Sequence, residues 1–388
     1  MIDGGRDPTA LPVHLRHLSL RAFRNYASLD LDLDRGLTLV IGPNGQGKTN
    51  LIEAVYFLCL GRSFREHRES RLIHFGDPAA RVRGLFERDG SRRTLQVVLP
   101  RSGKKQAAID DSPLDRLSEL IGEVPVVSLT PEDVAIAYGG PGPRRRFLDM
   151  LLAQTDRGYL EALKRYRRTL AQRNRCLREG REHLATTYEV ELSLSGTRLQ
   201  RQRRKLVSWL ADETAATYAQ LSGGEEKLGV RLQSSPAVDT GFAGSDKDPG
   251  ASQEGESGPL AEALARSRSA DLERGFTSVG PHRDELALSV EERPLRHYGS
   301  HGQARTALAA LKLAEVAYYA RAYDRQPVLL MDEVTSVLDR QRAGQLVELL
   351  AGHTSQVLVT APEAGELGPL AEQADRRLKV GAGEVHEA

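Results

Sequence analysis

The sequence predicts an α/β fold in which a mixed sheet with flanking helices is joined to a second, mainly helical lobe. The first observation is a short apolar run, a glycine-rich loop and a helix-like segment in succession over residues 37–58. The second is an apolar run, residues 327–333, that ends in two acids. The third is a stretch from about residue 144 to residue 220 with apolar residues at helical spacing.

Two strands with alternating apolar residues precede the glycine-rich loop, at residues 14–20 and 29–33. Arg24, Asn25 and Tyr26 lie between these strands. They could line a pocket for a base or a ribose, and an exposed turn is an equally good interpretation of the same residues. Residues 1–11 are expected to form a flexible terminus.

The glycine-rich loop matches the pattern G-x-x-x-x-G-K-[ST] without a mismatch, between a predicted strand and a predicted helix. Backbone amides of such a loop surround phosphate oxygens, and the following helix adds a partial positive charge. We expect the lysine to reach the β- and γ-phosphates of ATP and the threonine hydroxyl to bind Mg²⁺. The predicted ATP-binding residues of this loop are Gly42, Pro43, Asn44, Gly45, Gln46, Gly47, Lys48 and Thr49.

An antiparallel meander is expected next, over residues 81–110, with a hairpin turn at Asp89 and Gly90. A further apolar strand follows at residues 124–129. From these patterns we divide the chain into a first lobe, residues 12–123 and 325–388, and a second lobe, residues 124–324. Residues 234–259 are rich in Ser, Gly, Asp and Pro and are expected to be a flexible insertion in the second lobe.

The helical stretch is strongly basic: residues 144–205 contain 17 Lys and Arg against 7 Asp and Glu, in a chain whose net charge is +1. Long solvated helices are one explanation. A surface for nucleic-acid phosphates is the other, and the scarcity of aromatic residues favours the backbone of a duplex over unpaired bases. The candidate DNA-binding residues are Arg144, Arg145, Arg146, Arg201, Arg203, Arg204 and Lys205.

Two segments are candidates for a signature motif, Leu-Ser-Gly-Gly-Gln in its usual form, which opens the helix ahead of the apolar strand that ends in two acids. Residues 221–225 nearly spell it, but more than a hundred residues separate them from that strand, and we interpret them as a turn that ends a helix. Ser300 and Gln303 fit a capping box at the start of a helix that leads directly into the strand. Such a helix start is also suited to a phosphate.

The two acids at the end of the apolar strand complete a Walker B pattern. We expect Asp332 to hold Mg²⁺ through water and Glu333 to polarise the attacking water, with Lys48 as the third catalytic residue. No apolar run approaches membrane-spanning length, and no signal peptide is evident. With only two cysteines, the chain is expected to be cytoplasmic and not associated with a membrane.

Together these segments resemble the ABC-type ATPases of the SMC and Rad50 class, and within it the bacterial RecF family. The resemblance implies an ABC-type ATPase head with a helical second lobe that lacks a long coiled coil. It also implies a homodimer formed on ATP, in which Ser300, Gly302, Gln303 and Asp339 of one subunit meet the nucleotide of the other. The segments that carry it are residues 23–26, 42–50, 61–65, 131–133, 145–149, 172–174, 280–284 and 300–303.

Members of this family look like DNA-binding proteins of recombinational repair. The resemblance therefore implies weak, DNA-dependent hydrolysis of ATP, binding to duplex DNA, gaps or junctions of single and double strands, and RecR and RecO as partners. It further implies roles in recombinase loading, replication restart and the SOS response. Thr360 stands where transporter ATPases carry a histidine, which predicts slow turnover.

Two other functions are compatible with the nucleotide motifs. A nucleotide-binding subunit of a membrane transporter would share them, but the basic helices and the placement of Ser300 argue against it. A scaffold that binds ATP without hydrolysis is the second. The sequence leaves open the glutamine that ABC-type ATPases carry between their lobes, and the role of residues 280–284.

Overall fold

The computed structural model describes residues 11–88, 90–224, 226–236, 258–323, 325–333, 346 and 356–388. The chain divides into two compact units. Unit 1 comprises Met1–Tyr138, Thr214–Lys227 and Leu295–Ala388, and unit 2 comprises Gly139–Glu213 and Leu228–Pro294. Most of the two segments expected to be flexible, residues 1–10 and 237–257, lies outside the described residues.

The described strands are numbered in chain order. They are β1 (Leu11–Phe23), β2 (Tyr26–Asp32), β3 (Gly36–Ile41), β4 (Ala79–Arg88), β5 (Ser91–Pro100), β6 (Gln106–Ile109), β7 (Ser112–Pro113), β8 (Val126–Leu129), β9 (Leu228–Gln233), β10 (Glu285–Val290), β11 (Arg293–Pro294), β12 (Arg325–Gln326), β13 (Val328–Met331), β14 (Gln356–Ala361), β15 (Arg376–Gly381) and β16 (Glu384–Glu387).

The described helices are numbered in the same way, and none of them is both long and apolar enough to cross a bilayer. They are α1 (Lys48–Leu60), α2 (Val134–Tyr138), α3 (Pro141–Thr155), α4 (Arg157–Arg178), α5 (Glu182–Thr187), α6 (Glu189–Ser222), α7 (Gly258–Arg274), α8 (Leu295–Tyr298), α9 (His301–Tyr323) and α10 (Pro369–Glu372).

A mixed sheet forms the centre of unit 1, with the strand order β16-β15-β3-β14-β13-β8. Its inner pairs are parallel, and only the edge pair β15 and β16 is antiparallel. Met331 in β13 lies opposite Val359 in β14, so the residues that follow these two positions meet at the carboxyl edge of the sheet. The glycine-rich loop of residues 42–49, called the P-loop below, leaves β3, the other neighbour of β14, at the same edge.

The second sheet of unit 1 has the order β12-β1-β4-β5-β6-β7, with β2 also paired to β1. The hairpins from β4 to β7 confirm the predicted meander, and Arg88 pairs with Ser91 across its first turn. Asp89 of that predicted turn lies outside the described residues.

Helix α1 packs against strands of both sheets of unit 1. Every residue from Leu51 to Leu60 is buried, so this part of the helix has no solvent-exposed face. A helix that is apolar nearly all round belongs in the centre of a core. Gly84 in β4 permits this packing, because a Cβ there would come within 2.6 Å of Leu58 and 2.9 Å of Leu15.

The predicted boundary between the lobes at residue 124 is wrong. Strand β8 pairs in parallel with β13 in the central sheet, and α9 also belongs to unit 1. The physical reason is that β8 is a short apolar strand whose hydrogen-bonding partner lies about two hundred residues further along the chain. Local pattern cannot identify such a partner.

Unit 2 is mainly helical, as expected, and contains the small antiparallel sheet β11-β10-β9. Its polar core centres on Arg173, which is fully buried. The guanidinium donates to Asp271 at 2.8 Å, Thr277 at 2.7 Å and Glu189 at 3.0 Å. Burying a charge is tolerated when it is paired in this way. The three partners come from separate segments, so the network ties α4, α6 and α7 together.

Candidate functional site

The glycine-rich loop between β3 and α1 has three glycines with positive φ, Gly42 at 152°, Gly45 at 79° and Gly47 at 122°. Side chains other than glycine rarely adopt these conformations. At Gly47 a Cβ would also come within 2.6 Å of the Asn25 side chain. The pattern G-x-x-x-x-G-K-[ST] therefore adopts the strand, loop and helix context that a phosphate-binding loop requires.

Lys48 is the first residue of α1, and its side chain is 3% exposed. The ammonium group donates to the carbonyl oxygens of Gly42 at 2.6 Å and Pro43 at 3.1 Å, and to Asn44 Oδ1 at 3.3 Å. Burial lowers the pKa of Lys48. The cation is thus held inside the loop whose amides would surround a phosphate.

Thr49 and Asp332 come together at the carboxyl edge of the central sheet. Thr49 Oγ1 donates to Asp332 Oδ1 at 3.0 Å, and Asp332 is 3% exposed. Burial raises the pKa of Asp332. Two hard oxygens at one point, one of them anionic, fit the few protein ligands that Mg²⁺ takes beside substrate phosphates.

Thr360 lies near the end of β14, the parallel neighbour of the Walker B strand, and contacts both predicted acids. Its hydroxyl donates to Asp332 Oδ1 at 2.8 Å and accepts the backbone N–H of Glu333, also at 2.8 Å. Glu333 has a φ of 43°, which is a strained backbone for a glutamate. Thr360 was predicted at the position where transporter ATPases carry a histidine, but these hydrogen bonds were not predicted, because they follow from the register of β13 and β14.

The turn between β1 and β2 is bound to the P-loop backbone. Asn25 Nδ2 donates to Gln46 O at 2.8 Å, and the Tyr26 hydroxyl donates to Gly47 O at 2.9 Å. Asn50 Nδ2 donates to Asn25 Oδ1 at 2.6 Å. The interpretation of Arg24 to Tyr26 as a free exposed turn is therefore excluded, while the predicted contact with a nucleotide stays a prediction.

Glu53 is a fully buried carboxylate on α1 that the sequence analysis missed. It accepts two hydrogen bonds from Arg24, at 2.8 and 2.9 Å, and one each from Arg65 at 3.0 Å and Ser63 at 2.5 Å. Burial alone would raise the pKa of Glu53, but these bonds outweigh it and lower the pKa. The sequence feature that could have identified Glu53 is an acidic residue inside the otherwise apolar run from residue 51 to residue 60.

The capping box at the start of α9 is confirmed. Ser300 Oγ accepts the N–H of Gln303 at 3.1 Å, and Gln303 Oε1 accepts the N–H of Ser300 at 2.8 Å. Ser300 is exposed, and Tyr138 lies beside it, with its hydroxyl 3.2 Å from Ser300 O. Gly302 lies within the first turn of the helix, and Asp339, predicted to act in the same role, lies outside the described residues.

Residues 221–224 end a helix, as predicted. Helix α6 stops at Ser222, and Gly223 and Gly224 follow with φ values of 81° and 82°. The N–H of Gly224 returns to Ala219 O at 2.7 Å. Glycines in the left-handed region are typical of a helix C-terminus.

The predicted DNA-binding residues differ in exposure. Arg203 is 2% exposed and donates to Asp149 at 2.7 Å and to Asp284 at 2.8 Å. Arg144 is 5% exposed and donates to Glu285 at 2.5 Å. For these two arginines the prediction of a free phosphate-binding surface is wrong, because each guanidinium is buried and paired with carboxylates of unit 2.

The other predicted DNA-binding residues are more accessible. Arg145 donates to Asp284 O at 2.9 Å and is half-buried, as is Arg204. The exposed members of the set are Arg146, Arg201 and Lys205.

The segment 280–284, whose role the sequence left open, is part of the core of unit 2. Asp284 is fully buried and accepts from Gln200 at 3.0 Å and from Arg203. His282 Nε2 contacts Thr277 O at 2.9 Å, so this nitrogen carries the proton. His282 Nδ1 therefore accepts the Tyr166 hydroxyl at 2.6 Å.

Comparison with known proteins places this geometry in context. The profile of the RecF/RecN/SMC N terminal domain matches residues 14–382. The chain is 35% identical over 358 residues to the DNA replication and repair protein RecF of Geobacter sulfurreducens, covering 92% of this chain and 94% of that one.

Solved structures show the same fold. The recombination mediator protein RecF bound to ATP superposes with a TM-score of 0.85 at 28% identity, covering 99% of this chain and 100% of the other. The Smc head domain of Pyrococcus furiosus, with an extended coiled coil, reaches a TM-score of 0.56 at 16% identity, covering 97% and 96%. The fold is therefore that of an ABC-type ATPase head, as predicted.

Proposed function

The chain belongs to the RecF/RecN/SMC N-terminal domain family and, within it, to the RecF proteins, and from that premise we propose that it is an ATP-dependent DNA-binding clamp of recombinational DNA repair. Two copies would close on ATP and separate after slow, DNA-stimulated hydrolysis to ADP and phosphate. The proposal extends to gap repair, recombinase loading, replication restart and SOS induction, with RecR and RecO as partners, in the cytoplasm.

The observation that carries the ATPase proposal is the chain of bonds from Thr49 through Asp332 to Thr360 and the Glu333 amide. It places a buried carboxylate beside the first turn of the P-loop helix and the second acid next to it. Lys48 would bind the β- and γ-phosphates, and Glu333 would orient the attacking water. Mg²⁺, when bound by Thr49 and Asp332, would neutralise charge that develops on the phosphates.

Dimer formation is proposed from the first turn of α9. Ser300, Gly302 and Gln303 lie at a helix N-terminus with an exposed serine, and such a turn is suited to a phosphate. The γ-phosphate held by one copy would meet this turn, together with Asp339, in the other copy. Hydrolysis removes the γ-phosphate, so the contact between the copies would be lost and the clamp would open.

DNA binding is proposed for the exposed basic residues of unit 2, Arg146, Arg201 and Lys205. Such side chains bind phosphates without reading sequence, so affinity would fall steeply as salt rises. Duplex binding at low salt in the presence of ATP supports the clamp, and its absence would favour the transporter subunit.

The first experiment is the molar mass in solution of the wild type, Lys48→Met and Ser300→Arg, with and without ATP and Mg²⁺. We expect ATP to double the mass of the wild type only. Lys48→Met removes the phosphate-binding cation, whereas Ser300→Arg retains nucleotide binding but blocks the dimer. A wild type that stays monomeric at saturating ATP, or a Ser300→Arg variant that still dimerises, contradicts the proposed dimer.

A further inference from the structure

Gln303 forms hydrogen bonds in two directions from one amide. Its oxygen accepts the N–H of Ser300 at 2.8 Å and closes the capping box. Its nitrogen donates to Glu226 Oε1 at 2.6 Å. The capping box and the bond to Glu226 together fix both ends of the side-chain amide.

Glu226 also contacts the end of the long helix α6. Its second oxygen accepts the hydroxyl of Tyr218 at 2.8 Å. Tyr218 is fully buried in the last turns of α6, so this end of the bridge is rigid. Glu226, Tyr218 and Gln303 all belong to unit 1. The carboxylate therefore joins the C-terminal end of α6 to the N-terminal turn of α9.

The bridge explains why residue 303 is a glutamine. A capping box accepts either glutamate or glutamine at this position, since only a side-chain oxygen is needed. The bond to Glu226 needs a donor as well, and of the two residues only glutamine has one. A glutamate at position 303 would place two carboxylates at hydrogen-bond distance.

We propose that Glu226 is a positioning residue for the Ser300–Gln303 turn. By holding the amide of Gln303 it fixes the first turn of α9 in the geometry that meets the phosphates of ATP bound to a second copy of this chain. Glu226 itself does not touch the nucleotide. The inference rests on the proposed ATP-dependent dimer and names a residue on which that dimer depends.

The test exchanges the two functional groups. Gln303→Glu alone creates a repelling pair and is expected to raise the protein concentration needed for ATP-dependent dimerisation by about tenfold. Glu226→Gln alone can still accept from Gln303 and is expected to have a small effect. In the double variant, which combines the two substitutions, the new amide at position 226 donates to the new carboxylate at position 303 and accepts from Tyr218. Dimerisation of the double variant should therefore return to within about threefold of wild type.

Two further variants and two control measurements make the result specific. Glu226→Ala removes the bridge and should also weaken the dimer. Glu292→Gln loses the same charge at an exposed position of unit 2 and should behave as wild type. Binding of a fluorescent ATP analogue and the melting temperature are measured for every variant, so that dimerisation is compared among folded, loaded proteins.

The outcomes separate the two proposals. If the wild type dimerises and the double variant is as defective as Gln303→Glu, restoring the hydrogen bond between the two side chains does not restore the dimer, and the role of Glu226 is refuted. An undiminished dimer in Glu226→Ala refutes it as well. If the wild type itself does not dimerise on ATP, the proposed function fails, and this inference fails with it.

Discussion

At the scale of single residues, Thr360 connects the two acids proposed for hydrolysis. Its hydroxyl is fully buried, donates to Asp332 and accepts from the Glu333 amide. Both bonds orient groups that would otherwise rotate or remain unsatisfied, and an unsatisfied buried amide costs about 1–3 kcal/mol. Thr360 is thus part of the support of the Walker B acids.

We expect Thr360→Val to lower the rate of ATP hydrolysis by about ten- to a hundredfold while nucleotide binding changes little. Valine keeps the shape of threonine but loses the hydroxyl, so Asp332 and the Glu333 backbone lose their common partner. Thr360→Ser keeps the hydroxyl and should retain most of the activity. Steady-state hydrolysis and equilibrium binding check this, and a Val variant with the wild-type rate would contradict it.

Some residues of the candidate site could be predicted from the sequence and others could not. The P-loop lysine, the Walker B acids and the Ser300 capping box were recognisable because their partners are local or form a known pattern. The fate of Arg203 was not, since Asp149 and Asp284 are 54 and 81 residues away. Net charge counts an arginine in the same way whether it is buried or exposed.

At the scale of elements, α6 presents two different faces in unit 2. Gln200 and Arg203, one turn apart, both donate to buried Asp284. Arg201 and Lys205, also one turn apart, are exposed. Asp149 and Asp284 hold the pKa of Arg203 above its usual range although burial alone would lower it. The same basic run therefore contributes structure on one face and a candidate DNA surface on the other.

We expect Arg203→Met to destabilise the protein by about 3–5 kcal/mol, because it leaves buried Asp284 without its cation and removes one of the two arginines paired with Asp149, which keeps Arg167. Arg201→Ala should change stability by less than about 0.5 kcal/mol and should reduce DNA binding at low salt. Urea unfolding and duplex binding separate the two effects. Equal stability of the two variants would show that the buried pair is not needed for folding.

Helices, strands and turns were predictable where their own residues show the periodicity or the glycines that are typical of them. The meander, the helices of unit 2 and the turn after Ser222 follow from periodicity and glycines. The membership of β8 in unit 1 did not follow, because it depends on pairing with β13, which is formed by residues far along the chain. Helix α9 in turn packs against β8 and α2, which lie far back in the chain. The apolar composition of a strand predicts that the strand is buried, but it does not predict which strand pairs with it.

At the scale of the whole molecule, the buried polar groups make folding depend on pH. Burial lowers the pKa of His282 to about 4, against the opposing effect of its bond to Thr277 O. The folded state therefore binds a proton more weakly than the unfolded chain, whose histidine has its ordinary pKa of 6.5. The contribution to stability is complete above pH 6.5 and is lost as pH falls towards 4.

We expect this loss to reach at most about 3 kcal/mol between about pH 6.5 and about pH 4. Asp284, whose pKa burial raises, acts in the opposite sense over part of this range. The comparison is therefore between the wild type and His282→Gln, whose stability should be lower at neutral pH but should fall less on acidification. Urea unfolding at several pH values measures it, and parallel curves for the two proteins would exclude a role for His282.

The bridge of Glu226 and Gln303 has an evolutionary consequence, because it makes the order of mutation matter. A lineage that exchanges the two side chains by changing residue 303 first must pass through two facing carboxylates. A lineage that changes residue 226 first passes through two amides, which can still bond to each other. The second route avoids the repelling pair, so an exchange that changes residue 226 first would keep the bridge at every step.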